Sequence, residues 1–361
     1  MLALISALIL AFSGPLNEDI QTDVFVSGTD GYNTYRIPAI VRTADGTLLA
    51  FAEGRVKGRG DSGDIDLVLR RSHDGGRTWG PLEVVRDDQG NTCGNPCPVV
   101  DRDTGEIHLL MTHNLGSDHE SQIINQVSTG TRTVWVATSS DNGKSWSAPR
   151  EITETTKDPS WTWYATGPGN GIQLRSGEKA GRLVIPCDHI EAGTKKYFSH
   201  AIVSDDHGKT WQMAGSTPTD QVNECAVAEL SDGSLLLNMR NYDRSKRTRA
   251  QSRSTDSGET WSAIKRHEGL PEPICQASMI ALDDGKLLVF SNPASSESRV
   301  GMTVRKSRDG GRTWSEGRLL HAGPSAYSSL VALEEGEVGC LYECGEKHPY
   351  ERIRFVSCTP E

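Results

Sequence analysis

Apolar and polar residues alternate with a period of two along much of the chain, in short runs that stop at Gly, Asp or Asn. Asp64 to Leu69, Arg132 to Ala137, Tyr197 to Val203 and Met302 to Arg305 are such runs. Successive side chains of a strand point to opposite faces, so this period predicts half-buried β-strands. Gly46 to Phe51 and Gly233 to Asn238 follow Asp-Gly pairs and read as strands leaving tight turns. No apolar pattern with helical spacing is long enough to predict an extended helix. No linker-like stretch divides the chain in two.

An eight-residue pattern, Ser-x-Asp-x-Gly-x-Thr/Ser-Trp, recurs five times, at Ser72, Ser139, Ser204, Ser254 and Ser307. Successive starts are 67, 65, 50 and 53 residues apart. Each copy reads as a hairpin turn. The Asp carboxylate accepts backbone N–H groups, the Gly takes positive φ, and the Trp covers the hairpin's apolar side. Units of roughly 50–65 residues built from short strands suit four-stranded propeller blades. The expected fold is all-β: one six-bladed β-propeller over residues 14–361, with five recognisable repeat turns. These residues build a scaffold and say nothing about chemistry.

Composition narrows the setting. The 361 residues include 37 Gly and eight Trp, as a turn-rich β protein requires. Against 48 acidic residues stand 38 Lys and Arg, a formal charge of -10, with no basic run to track a phosphate backbone. Nucleic acid is not an expected partner. Met1 to Ser13 has no charged side chain, and Ala11 and Ser13 form a small-x-small site before Gly14. Residues 1–13 are expected to be a signal peptide or short anchor. The protein then belongs outside the cell, at its surface or in the periplasm, rather than in the cytoplasm. The close pairs Cys93/Cys97 and Cys340/Cys344 read as local disulfides or buried thiols, since zinc-type CxxC spacing is missing. His108, His113 and His119 lack strict ligand spacing, so no metal is expected.

Several polar residues interrupt strand-like runs. Arg36 lies inside Tyr35 to Ile40, Arg240 follows Leu235 to Asn238, and Arg299 precedes Val300 to Arg305. Singly, each reads as a surface or salt-bridge residue. On the inner strands of a propeller they converge near the axis, where three guanidinium groups call for an anionic ligand. Glu224 lies within Val222 to Val227, Tyr327 precedes Leu330 to Leu333, and Glu343 follows Val338 to Tyr342. Half-buried acids need partners, which Arg or Tyr supplies. Asp61 lies in a Gly-rich loop beside Asp64 and Asp66. The stretches 55–63, 117–129 and 157–171 read as long loops, where binding residues commonly sit.

The Tyr-Arg-Ile-Pro segment at 35–38, the five repeat turns, Glu224, Arg240, Arg299 and Tyr327 together resemble the sialidase (neuraminidase) family. The likeness is to bacterial-type exo-sialidases with Asp-box repeats, over about residues 24–357. It implies a retaining glycoside hydrolase that releases terminal sialic acid from glycoproteins, glycolipids or oligosaccharides through a tyrosyl-enzyme intermediate. By the same resemblance Arg36, Arg240 and Arg299 clamp the sialic acid carboxylate, and Glu343 orients Arg36. Tyr327 is the nucleophile, Glu224 its base and Asp61 the acid/base, while Arg55 aligns with a further substrate-contacting arginine. The chemistry fits, because a neutral phenol approaches an anomeric carbon bearing a carboxylate more easily than a second carboxylate does. No cofactor is needed. Other outcomes of the same intermediate are transfer to a sugar acceptor or an intramolecular attack giving an anhydro product. A non-catalytic sialic-acid-binding propeller and a structural, non-sialidase propeller with the same turns are the remaining alternatives.

Overall fold

The computed structural model describes residues 19–361. The stretch 1–13, expected to be a signal peptide or anchor, lies outside them. Among the described residues the regular secondary structure is nearly all β-strand, with short helices at Glu120–Ile124 and Thr153–Thr156. Antiparallel runs follow one another in sequence. The first comprises Thr34–Arg42, Leu48–Arg55, Ile65–Ser72 and Glu83–Arg86. The next comprises Thr92–Val100, Ile107–Asn114, Thr133–Ser139 and Arg150–Glu151. Trp161–Thr166, Leu183–Glu191, Tyr197–Ser204 and Gln212–Ser216 make the third. Val222–Glu229, Leu235–Asn241, Thr248–Ser254 and Lys265–Pro271 form an isolated four-stranded sheet.

The remaining strands share one long element. Arg318–Ala332, 15 residues, pairs through its first part with Val300–Ser307 and through its second with Val338–Cys344. The first part continues to Leu287–Pro293 and Ser278–Leu282. The second continues to Arg352–Cys358, whose outer edge is covered by Gln21–Val26 from the other end of the described chain. This pairing closes the ring, and every run presents its first strand toward the axis. The architecture is an all-β propeller. Polar side chains tie the inner strands across the axis: Asn170 Nδ2 donates to the Ile40 and Leu330 carbonyls at 2.7 and 2.9 Å. Apolar residues fill the seams between runs, as where Leu49, Phe51 and Leu67 meet Leu109 and Ala137.

The repeat turns are built as expected in one respect and differently in another. Asp74 Oδ1 accepts the Thr78 N–H at 2.9 Å and Oδ2 accepts the Thr78 hydroxyl at 2.6 Å, while Ser72 Oγ accepts the Gly76 N–H. The four other copies repeat the Asp bonds. Trp79 and Trp211 each donate Nε1 to the Gly carbonyl of their own turn, and Trp314 packs on Phe290 of its own run, but three of the rings also reach beyond their hairpins. Trp79 packs on Phe355, Trp146 on Phe51 and Trp211 on His108, each from a neighbouring run. The turn therefore locks blade to blade. Gly76 is required twice over, since its φ is +94° and a Cβ there would lie 2.1 Å from the Phe355 ring.

The stretch 157–171 is not all loop. Residues Trp161–Thr166 form the inner strand of the third run, with Thr162 and Tyr164 buried and Trp161 and Trp163 half-buried. Aromatic residues on both faces hid the period of two. All eight cysteines are buried and unbridged. The three histidines part company: His113 meets Asp88, His108 meets Thr138 and His119 meets Ser62.

Candidate active site

Five inner strands carry a break in register near the same end of the ring. The breaks fall between Arg36 and Ala39, Gly94 and Cys97, Trp161 and Tyr164, Val222 and Cys225, and Ser325 and Ser328. A bulge leaves its extra residue unpaired and re-aims the side chains beside it. Here the bulged residues include Ile37, Asn95, Trp163, Asn223, Glu224 and Tyr327, and all of them line one cleft of about 330 Å³. Ile37 and Asn95 hold left-handed backbone, with φ of +59° and +53°. Such backbone is costly for residues with a Cβ and concentrates at functional sites. Pro38 fits the first bulge because it has no N–H to pair.

Arg36, Arg55, Asp61, Glu224, Arg240, Arg299 and Tyr327, all nominated from sequence, line this cleft. The three clamp candidates reach it from different elements, not all from inner strands. Arg36 is on an inner strand and Arg240 on a second strand, while Arg299 lies just before Val300–Ser307. Glu343 sits underneath, fully buried. Its Oε1 accepts Arg36 Nε at 2.8 Å and the Ile37 N–H at 2.9 Å, and its Oε2 accepts the Tyr327 N–H at 3.1 Å. One carboxylate thus fixes both an arginine and the backbone of the tyrosine. Burial opposes the charge of Arg36, yet the Glu343 carboxylate more than restores it and holds the guanidinium firmly protonated.

The Tyr327 hydroxyl donates to Glu224 Oε1 at 2.5 Å, and Arg240 Nη1 bonds Glu224 Oε2 at 2.6 Å and the Tyr327 oxygen at 3.1 Å. Burial, and next the Glu224 charge, push the phenol well above its ordinary value, against the pull of the arginines. The phenol stays protonated at rest, with its acceptor already in contact.

Asp61 differs from its acidic neighbours. Asp66 accepts the Tyr32 hydroxyl at 2.6 Å, and neither Asp64 nor Asp66 lines the cleft. Asp61, more than half exposed, lies 2.8 Å from Arg55 Nη2 and 3.9 Å from Arg36 Nη1. Burial works to raise its carboxyl, but Arg55 and then Arg36 outweigh this and hold it below the usual carboxylate range. Arg55 is itself gripped by Glu53 and by the Arg59 and Gly60 carbonyls of the same loop.

Sequence reasoning missed Tyr350, whose ring lies 4.1 Å from the Arg36 guanidinium and whose hydroxyl accepts Arg299 Nη1 at 2.9 Å. It stands in a polar turn with no strand pattern around it, so no local signal marked it. Arg132 was also passed over, although it opens an apolar alternation much as Arg36 interrupts one. Its guanidinium stacks 3.9 Å from the Trp163 ring.

A family model for BNR repeat-like domains matches residues 46–340. The chain is 38% identical over 357 residues to a sialidase of Micromonospora viridifaciens, covering 93% of this chain and 54% of that protein. It is 36% identical over 349 residues to a sialidase of Bacteroides fragilis strain YCH46, covering 89% of this chain and 62% of that one. The chain therefore spans between half and two thirds of the length of these relatives. The solved Hadza microbial sialidase Hz136 superimposes with a TM-score of 0.84 at 32% identity, over 94% of this chain and 68% of that one. A propeller stapled by five repeat turns, a family match across most of it and these identities together show that the chain belongs to the sialidase family.

Proposed function

We propose that the protein is an exo-α-sialidase that releases terminal sialic acid from glycoconjugates with retention of configuration. One observation carries the reading: the 2.5 Å bond from Tyr327 to Glu224, in a cleft that also holds Arg36, Arg240 and Arg299. The names of the relatives support the same substrate class. The arginines bind the sugar carboxylate and orient the ring. Glu224 takes the phenolic proton as the Tyr327 oxygen attacks the anomeric carbon, and the glycosidic oxygen leaves with a proton from Asp61. Asp61 then removes a proton from water, whose oxygen displaces tyrosine, and Glu224 returns the proton to the phenol. Two inversions give retention.

In the free protein Arg36 and Arg55 hold Asp61 ionised. A substrate carboxylate on Arg36 neutralises part of that field and lets the Asp61 carboxyl rise toward its working protonation. The propeller runs support six blades, and the apolar stretch 1–13 supports export. Incubation with the two common sialyllactose isomers, followed by NMR, tests the function. Free sialic acid and lactose are expected. An anhydro sugar or a new sialoside as the main product would instead assign the intramolecular or transfer reaction, and no product would remove the enzyme reading.

Arg299 stands at the clamp's edge, bonded to Tyr350 and to the Ile274 carbonyl. Arg299→Ala is expected to lose roughly 2–5 kcal/mol in kcat/KM, with a raised KM and a lowered kcat. Unchanged kinetics in a folded variant would take Arg299 out of the clamp.

A further inference from the structure

The part of the long strand that carries Tyr327 has one edge against Val338–Cys344; among the described residues no strand pairs with its other edge, which faces the propeller axis. Buried N–H and C=O groups along such an edge must still find partners. Side chains from other runs supply them. Ser278 Oγ accepts the Leu330 N–H at 2.9 Å, and Asn170 Nδ2 serves the Leu330 carbonyl. One step nearer Tyr327, Gln276 meets both groups of Ser328. Its Oε1 accepts the N–H at 2.9 Å and its Nε2 donates to the C=O at 2.9 Å. The same Nε2 donates to the Pro168 carbonyl at 3.0 Å. Gln276 is 1% exposed, and its amide pairs with Ser328 as the peptide of a neighbouring strand would.

The N–H that Gln276 holds belongs to the peptide joining Tyr327 to Ser328, beside the break in the ladder between Ser325 and Ser328. Across that break the ladder does not fix the backbone, so side chains must. Glu343 holds the Tyr327 N–H and Gln276 the next peptide, while Glu224 and Arg240 hold the phenol oxygen. Glu343 also carries Arg36 and so serves clamp and nucleophile together. Gln276 differs: it does not line the cleft, and its bonds go to Ser328 and Pro168 rather than to an arginine of the clamp. Its neighbours reach the site too. Cys275 packs with Ile37, Ala326 and Tyr327, and the Ile274 carbonyl accepts Arg299 Nη2 at 3.1 Å. Ile274 holds left-handed backbone, with φ of +58°, which is costly for a β-branched residue and persists only where the surroundings enforce it.

Resting on the exo-sialidase reading, we propose that Gln276 is a positioning residue for Tyr327. Its amide replaces the backbone partner that the strand lacks on this edge and sets where the phenol oxygen stands relative to the anomeric carbon. It takes no part in holding the sugar carboxylate. An apolar side chain at 276 leaves the Ser328 N–H and C=O buried without these partners, and the backbone beside Tyr327 shifts to find others. Attack requires the reacting atoms about 3–3.5 Å apart and aligned, so a small displacement of the phenol slows the chemical step while the arginines still bind.

Gln276→Met keeps the length of the side chain and removes its three hydrogen bonds. The test compares two probes of the variant: a sialic acid with fluorine beside the anomeric carbon and a good leaving group, which labels the nucleophile, and a ring-unsaturated sialic acid, which binds the clamp but offers no group to displace. The labelling rate, and kcat on an aryl sialoside, are expected to fall together by about 10–100-fold. The Ki of the unsaturated sugar should change by less than about three-fold, because clamp binding is untouched. A Ki that rises as much as the labelling rate falls would make Gln276 a support of the whole cleft, and an unchanged labelling rate would give it no part in placing Tyr327; either overturns the proposal and leaves the sialidase reading standing. Gln276→Glu gives the same comparison if Gln276→Met fails to fold, since a carboxylate of the same length cannot donate to the two carbonyls. An unaltered protein that neither takes the label nor cleaves the sialoside would remove the sialidase reading and the proposal with it.

Discussion

Glu224→Gln is expected to lower kcat by about 10²–10⁴-fold, on natural and aryl sialosides alike. The amide keeps the size of the side chain and can still accept a hydrogen bond from the Tyr327 hydroxyl. What it cannot do is take the proton, and the phenol it faces is held well above its ordinary value by burial. The nucleophile is then an un-ionised phenol, whatever the leaving group. Steady-state assays with both substrate types check this. A folded variant that keeps a tenth or more of the original kcat would mean that Glu224 only positions Tyr327.

Asp61→Ala is expected to show the opposite dependence on the leaving group. An alkoxide leaves poorly without a proton, whereas an acidic phenol leaves without one. The variant should lose about 10²–10⁴-fold on sialyllactose and much less on an aryl sialoside of an acidic phenol. Azide offers a further check, because a nucleophile that needs no base can replace water at the second step. Equal losses on both substrates would move the acid role elsewhere. Asp64 and Asp66 are poor heirs, since neither faces the cleft.

The scaffold was legible because its turn chemistry is local. Asp74, Gly76 and Thr78 bond within eight residues, so their spacing alone announces the turn. The role of Trp79 was not legible, because Phe355 reaches it from the far end of the chain. The same division runs through the site. Arg36, Glu224 and Tyr327 stood out as polar residues in apolar surroundings, and the family resemblance ordered them. Tyr350 and Arg132 did not stand out, because their importance lies in contacts between runs. Nor did the bulges: a register break depends on the partner strand, and Pro38, which sits in the first of them, reads equally as the beginning or edge of a strand.

Trapping the intermediate tests the central claim, that Tyr327 attacks the sugar. A sialic acid with fluorine beside the anomeric carbon and a good leaving group on it should react quickly and hydrolyse slowly. Proteolysis and mass spectrometry of the trapped protein are expected to place the sugar on the peptide containing Tyr327, and Tyr327→Phe is expected to leave that peptide unmodified. A sugar attached to Glu224 or to any other side chain would contradict the account.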